Sequence, residues 1–179
     1  SNRSSLSRMV QDSGAVAAIN GDFFIPATPS APIGPQVQNG KLLSSSLNMD
    51  DMSSIGIGFD KIPQIFNMRF SGSVIAPNGN EFTVEGVNKI RNSYNNVFIY
   101  TPEFGSVTPK PGEGAPDLIF LTVKDNHVVN ITEGKTCNIP DDGLVLMAWG
   151  DGGNFLKTFF TIGDQVKLNF QTVPDISNL

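Results

Sequence analysis

The segment Pro77-Asn78-Gly79-Asn80 constrains this chain more than any other. It stands between two runs of strand composition, residues 68–75 and 81–87. Asn-Gly between two such runs is the strongest short-range signal of a β-hairpin. The same grammar recurs along the chain. Asn39-Gly40 separates 36–37 from 41–43, and Asp60-Lys61 separates 54–59 from 62–66. Lys124-Asp125-Asn126 separates 118–123 from 127–131. Further runs at 97–101, 144–148 and 165–170 are bounded by Pro102, by Asp141-Asp142-Gly143 and by Thr161 to Asp164. Only one segment has helical period: Leu6, Met9 and Val10 stand at i, i+3, i+4 behind Ser4 or Ser5 as N-cap, with Gly14 beyond. The prediction is an α+β fold: a β-rich mixed sheet core, hairpin-rich, with one short N-terminal helix over 5–13.

At 179 residues the chain is long enough for one domain, 1–179, with a real core. Its formal charge of -5 makes nucleic acid and anionic membranes poor partners. The single Cys137 excludes an intramolecular disulfide framework. One Cys and one His, His127, argue against a Cys/His zinc cluster, and no cofactor or metal is expected. No stretch approaches the roughly 20 apolar residues of a membrane span. No signal peptide is recognisable, and Ser1-Asn2 reads as the interior of a longer protein or as a cloning remnant.

Residues 16–24 read V-A-A-I-N-G-D-F-F. The apolar run 16–19 has strand length and composition and is expected as a central strand. It stops at Asn20-Gly21-Asp22, and Phe23 and Phe24 re-anchor the chain at once. Such a stretch presents an amide and a carboxylate rigidly at the rim of a core. The same letters also suit an ordinary Asn-Gly turn. A Pro-rich loop follows, with Pro26, Pro29, Pro32 and Pro35, suited to a rim or lid or to a plain crossover. The expected core is Leu6, Met9, Val10, Val16, Ile19, Phe23, Phe24, Phe98, Leu118, Phe120, Val123, Leu146 and Trp149.

The other polar groups carry weaker signals. His127 begins a strand after a turn, with nothing nearby in sequence to orient it as a base. Cys137 is expected half-buried and structural. Asp50-Asp51 and Asp141-Asp142 read as solvated turn carboxylates, although adjacent carboxylates also suit a hard cation such as calcium. Asp151-Gly152-Gly153-Asn154 reads as a turn. Lys89 and Arg91, in V-N-K-I-R, are long cations on a loop and the best local candidates for meeting a phosphate in an acidic chain.

A-I-N-G-D-F-F, followed by I-G-P-Q-V-Q-N-G-K-L-L at 33–43, resembles the phosphodiester glycosidase family, whose members include the lysosomal uncovering enzyme and bacterial envelope proteins. The matching positions are Asn20, Gly21, Asp22, Phe23, Phe24, Gly34, Asn39, Gly40 and Lys41. The resemblance implies the front part of a hydrolase domain that cleaves sugar-1-phosphodiester bonds in exopolysaccharide or envelope glycans, outside the cell or in its envelope. It implies Asp22 as the catalytic carboxylate, and Asn20, Gly21, Lys89 and Arg91 as substrate-binding groups for a glycan or sugar phosphate. The family's Arg-Thr-Ala-x-Gly and Asp-Gly-Gly-Gly-Ser segments do not occur in 1–179, so the resemblance implies either a fragment of the family domain or a shortened member, with an incomplete active site in both cases. Self-association through an uncovered strand, 16–19 or 144–149, and a closed monomer are the two expectations for its surface. The rival expectation is a non-catalytic carbohydrate-binding or structural β module that uses Tyr94, Tyr100 or Phe104 as exposed aromatics.

Overall fold

The structure, a computed structural model, describes residues 4–18, 21–25, 30–47, 52–90, 94–177 and 179. Helix α1, Leu6–Ser13, forms where the period places it. Ser5 Oγ accepts a hydrogen bond from the Arg8 N–H at 3.3 Å, and Gly14 ends the helix in the left-handed region at φ 67°. Three small hairpins follow: β1 (Phe24–Ile25) with β2 (Ala31–Pro32), β3 (Gln36–Gln38) with β4 (Lys41–Ser44), and β5 (Ser54–Ile57) with β6 (Pro63–Phe66). Asn39 and Gly40 turn the second one, both at positive φ, 52° and 72°. That geometry matches the right-handed twist of the strands they join.

The main sheet contains β7 (Arg69–Ile75), β8 (Glu81–Val87), β9 (Val97–Tyr100), β10 (Leu118–Lys124), β11 (His127–Gly134), β12 (Gly143–Ala148) and β13 (Lys167–Val173). Their order is β11-β10-β12-β9-β8-β7-β13. Every pairing is antiparallel except β8 with β9, which is parallel and makes the sheet mixed. Helix α2, Gly150–Phe159, follows β12 directly.

The three central strands are apolar on both faces, which explains their unbroken apolar runs. Val97, Ile99, Ile119, Leu121, Leu146 and Ala148 point to one side and pack with Phe155, Leu156 and Phe160 around α2. Phe98, Tyr100, Leu118, Phe120, Val145 and Met147 point to the other and pack with Ala31, Tyr94 and Phe104. The first cluster draws residues from strands β7 to β12, with Leu168 of β13 packed against it, so the sheet curls around α2. The curl nearly brings its edges together. Gln165 bridges to His127 of β11, and Lys167, two residues on, pairs with Ile75 of β7.

Several expectations need correction. The run 16–18 is exposed and unpaired and is not a central strand; Ile19 lies outside the described residues. A central place requires partners on both edges, and β9, β10 and β12, whose apolar side chains are bulkier than the two alanines of 16–19, occupy those places. Leu6, Met9, Phe23 and Phe24 are exposed rather than core. Residues 144–148 form no open edge, because β12 lies between β10 and β9. Trp149 is half-buried as the residue that precedes α2, and Asp151 to Asn154 form the first turn of this second helix rather than a loop turn.

Candidate functional site

Asp22 precedes β1 and is half-buried. Its Oδ2 accepts a hydrogen bond from the Gly34 N–H at 2.8 Å. The Ile33 N–H donates to the Phe23 carbonyl at 3.0 Å, so the Gly21–Phe24 stretch is stitched to the Pro-rich loop across β1 and β2. A Cβ at Gly34 would lie 3.1 Å from Asp22 Oδ2, so a side chain there would push the carboxylate by a few tenths of an ångström.

The far side of the same peptide meets Lys89. That side chain is 1% exposed. Its ammonium donates to the carbonyls of Pro32 (3.0 Å), Ile33 (3.0 Å) and Gly34 (2.7 Å). A carboxylate on the Gly34 N–H and an ammonium on the Ile33 C=O polarise that one peptide group from both ends, and such bonds strengthen one another. Lys89 is therefore a buried clamp on the loop and not the solvated loop cation expected from sequence. Tyr100 Oη donates to the Lys89 carbonyl at 2.5 Å, and burial and the neighbouring Tyr94 push the Tyr100 phenol up from its ordinary value.

Asn88, at φ 56°, ties the ends of three strands together. Its Nδ2 donates to the Leu43 carbonyl and to Thr101 Oγ1, each at 2.7 Å, and its Oδ1 accepts from the Thr101 N–H at 2.9 Å. The chain then turns through Thr101–Phe104, with the Phe104 N–H on the Thr101 carbonyl, and presents Glu103. Lys41 Nζ donates to Glu103 Oε1. That bond, with one from the Thr101 side chain, lowers the Glu103 pKa to about 2.

These pieces border one cleft of ≈ 920 Å³. Gly21, Asp22, Ser44, Asn88 and Glu103 supply its polar part, while Leu6, Met9, Phe23 and Phe24 form an apolar wall. The structure thus brings Gly21 and Asp22 together with Glu103, which no sequence signal singled out. Lys41, adjacent to the Asn39-Gly40 turn, was legible only as a motif position. Asn20 and Arg91 lie outside the described residues, as do Asp50 and Asp51.

The remaining candidates stand apart. His127 is exposed, with Nδ1 2.7 Å from the Asp125 carbonyl. Cys137 is half-buried, and its N–H donates to Thr108 Oγ1 at 3.0 Å. Asp142 pairs with Lys124 at 2.6 Å, which lowers its pKa. Asn95 Oδ1 accepts from the Asp151 N–H at the start of α2. Tyr94, Tyr100 and Phe104 are all buried in the apolar cluster on the sheet face away from α2, so the rival expectation of exposed stacking aromatics at these positions is corrected. Among the described residues, no three His, Cys, Asp or Glu side chains gather to hold a metal ion. No described helix is long and apolar enough to cross a membrane.

No protein-family profile and no curated protein matches the chain. Its fold is similar to two solved structures. One is a Burkholderia pseudomallei K96243 protein provisionally named as exported, at TM-score 0.78 and 16% identity, over 93% of this chain and 39% of that one. The other is a hypothetical protein from Synechocystis, at TM-score 0.78 and 18% identity, over 97% of this chain and 32% of that one. The chain thus spans 39% and 32% of those two proteins, and the likeness is one of fold.

Proposed function

We propose that the protein is the front part of a hydrolase of sugar-1-phosphodiester bonds in exported or envelope glycans. One observation carries this reading: the Gly21–Phe24 stretch, on which the phosphodiester glycosidase resemblance rests, lines a cleft that also holds a second carboxylate, Glu103. Cleavage at an anomeric carbon passes through an oxocarbenium-like state that a nearby carboxylate stabilises. The phosphate leaving group is a weak base and departs without full protonation. A carboxylate ionised at every working pH then matters more than a strong acid. Glu103, held near pKa 2 by Lys41, has that property. In this mechanism water adds at the anomeric carbon and gives its proton to Asp22, the bond between that carbon and the phosphate oxygen breaks, and the phosphomonoester leaves with the bonding electrons. Asp22, fixed by the Gly34 N–H, is the second carboxylate at the reacting carbon. Lys41 and Arg91 are the cations proposed to meet the phosphate.

The test is turnover of the methyl phosphodiester of N-acetylglucosamine 1-phosphate by the full-length protein. Asp22→Asn is expected to lower kcat at least about a hundredfold, as loss of a positioned acid or base does. Undiminished turnover in that variant removes Asp22 from the chemistry. Saccharide binding without turnover by the wild type would favour the non-catalytic carbohydrate module instead.

A further inference from the structure

The cleft has a feature that hydrolysis of a plain sugar phosphate does not need. Leu6 is 42% exposed, Met9 49%, Phe23 75% and Phe24 51%. All four border the cleft beside the carboxylates. The sequence patterns these residues for burial: Leu6 and Met9 form the apolar stripe of α1, and no residue of that helix is buried. An amphipathic helix normally covers its stripe with its own core. Here the described chain leaves the stripe about half open, with Val10 partly buried and Leu6 and Met9 still exposed.

We propose that this wall binds a hydrocarbon chain, so that the substrate is a sugar-1-phosphodiester whose second alcohol is a long alkyl or isoprenoid group. This rests on the hydrolase reading above and names the substrate class for that site. The wall's composition decides between a sugar ring and a hydrocarbon. Rings stack on aromatic faces, which Phe23 and Phe24 alone would provide. Leu6 and Met9 add flexible aliphatic surface, which adapts to a chain rather than to a flat ring. Continuity decides what the chain is attached to. The apolar wall and the polar floor, with Asp22, Glu103 and Asn88, share one cleft of ≈ 920 Å³. That is near the upper end of ordinary small-ligand sites, roughly 300–1,000 Å³. A single ligand that fills both parts is an amphiphile with a polar sugar head.

The experiment compares binding of two probes, the methyl and hexyl phosphodiesters of N-acetylglucosamine 1-phosphate, by calorimetry on the catalytically impaired Asp22→Asn protein and on the wild type. The hexyl diester is expected to bind about thirtyfold tighter, the effect of half-burying five further methylenes. In a Met9→Ser, Phe23→Ser double variant the hexyl affinity is expected to fall to that of the methyl diester. Both positions are exposed, so folding should survive, and circular dichroism checks it. Equal affinity for the two diesters overturns the hydrocarbon site and leaves the hydrolase reading standing. Binding of neither diester overturns both. A third outcome overturns the inference in favour of another occupant: no chain-length preference, together with a dimer in sedimentation that the double variant dissolves, means that a second copy covers the wall.

Discussion

Glu103 borders the cleft with its carboxylate bonded to Lys41. The Lys41 ammonium is the largest cause of the low Glu103 pKa, and the Thr101 side chain adds to it. Lys41→Met is therefore expected to return the carboxyl toward its ordinary value of 4.5, and carbon-detected NMR titration of Glu103 reads the change. A Glu103 that still titrates near 2 in this variant would transfer the effect to Thr101 and the backbone. The consequence for stability has a definite sign. The folded-state pKa lies below the unfolded one, so the contribution is fully present above about pH 4.5 and is lost as pH falls through about 2. It is small, no more than about 1 kcal/mol, because solvent screens an ion pair this exposed. At this scale the sequence was half legible. Asp22 and Gly21, which line the cleft, stood out in the sequence because the Asn-Gly-Asp triplet interrupts an apolar run. Glu103 was missed because the bonds that define it come from Lys41 and from the Thr101–Phe104 turn, and nothing local in Thr-Pro-Glu-Phe distinguishes it from a surface carboxylate. Lys89 was misread for a similar reason: the three carbonyls that bury it lie more than fifty residues away in the chain.

At the scale of elements, α2 is the piece that holds the curled sheet in shape. Leu156 is fully buried, and Phe155 stacks against Phe82 of β8 at 5.1 Å between ring centroids. Leu156→Ala is expected to destabilise the protein by about 3 kcal/mol, the range for a buried leucine that leaves a cavity. The urea midpoint should fall accordingly with the slope unchanged. A loss below about 1 kcal/mol would mean that the sheet keeps its curl without the helix plug. Helix α2 was also the element hardest to read from the sequence. Its first turn is Gly150-Asp151-Gly152-Gly153, and each helical glycine costs about 1 kcal/mol relative to alanine. The fold uses the missing side chains. A Cβ at Gly152 would lie 3.0 Å from the Ala148 Cβ, and one at Gly153 would lie 3.2 Å from Ile119 Cγ1, so the glycines let the helix start hard against β12 and β10. Tertiary contact overrides local propensity there. Hairpins were legible because their information is local: Asn39-Gly40, Gly79 and Asp125-Asn126 all adopt the positive φ that their residue types favour. The run 16–18 was misread because apolar composition alone does not supply a neighbouring strand.

For the molecule as a whole, the arrangement divides the chain into a stiff centre and a soft rim. Strands β9, β10 and β12 have paired neighbours on both edges and buried side chains on both faces. Exposing their amides requires dismantling both apolar clusters, which is close to global unfolding. The β5–β6 hairpin is the opposite case. It is a two-stranded sheet of its own, with Ile55, Ile57 and Ile65 exposed on one face. Two strands alone are marginally stable in water, so this hairpin opens locally. The cleft wall belongs to the soft part too, since β1 and β2 form a separate two-residue pairing held by Asp22, Gly34 and Lys89. Native-state hydrogen exchange should therefore rank the amides. Those of β9, β10 and β12 are expected to exchange at the global limit, and those of β5 and β6 at least about a hundredfold faster, a difference of about 3 kcal/mol in opening free energy. Uniform protection across these elements would show that the hairpin shares the cooperativity of the central sheet and that the division is wrong. The same experiment reaches the site. A ligand seated between Asp22, Glu103 and the apolar wall must order the β1–β2 pairing before it gains its contacts there. The hexyl phosphodiester should then slow exchange at the amides of Ile33 and Gly34 selectively, while leaving those of β5 and β6 unchanged. Protection that rises equally in both places would mean general stabilisation rather than occupancy of the cleft.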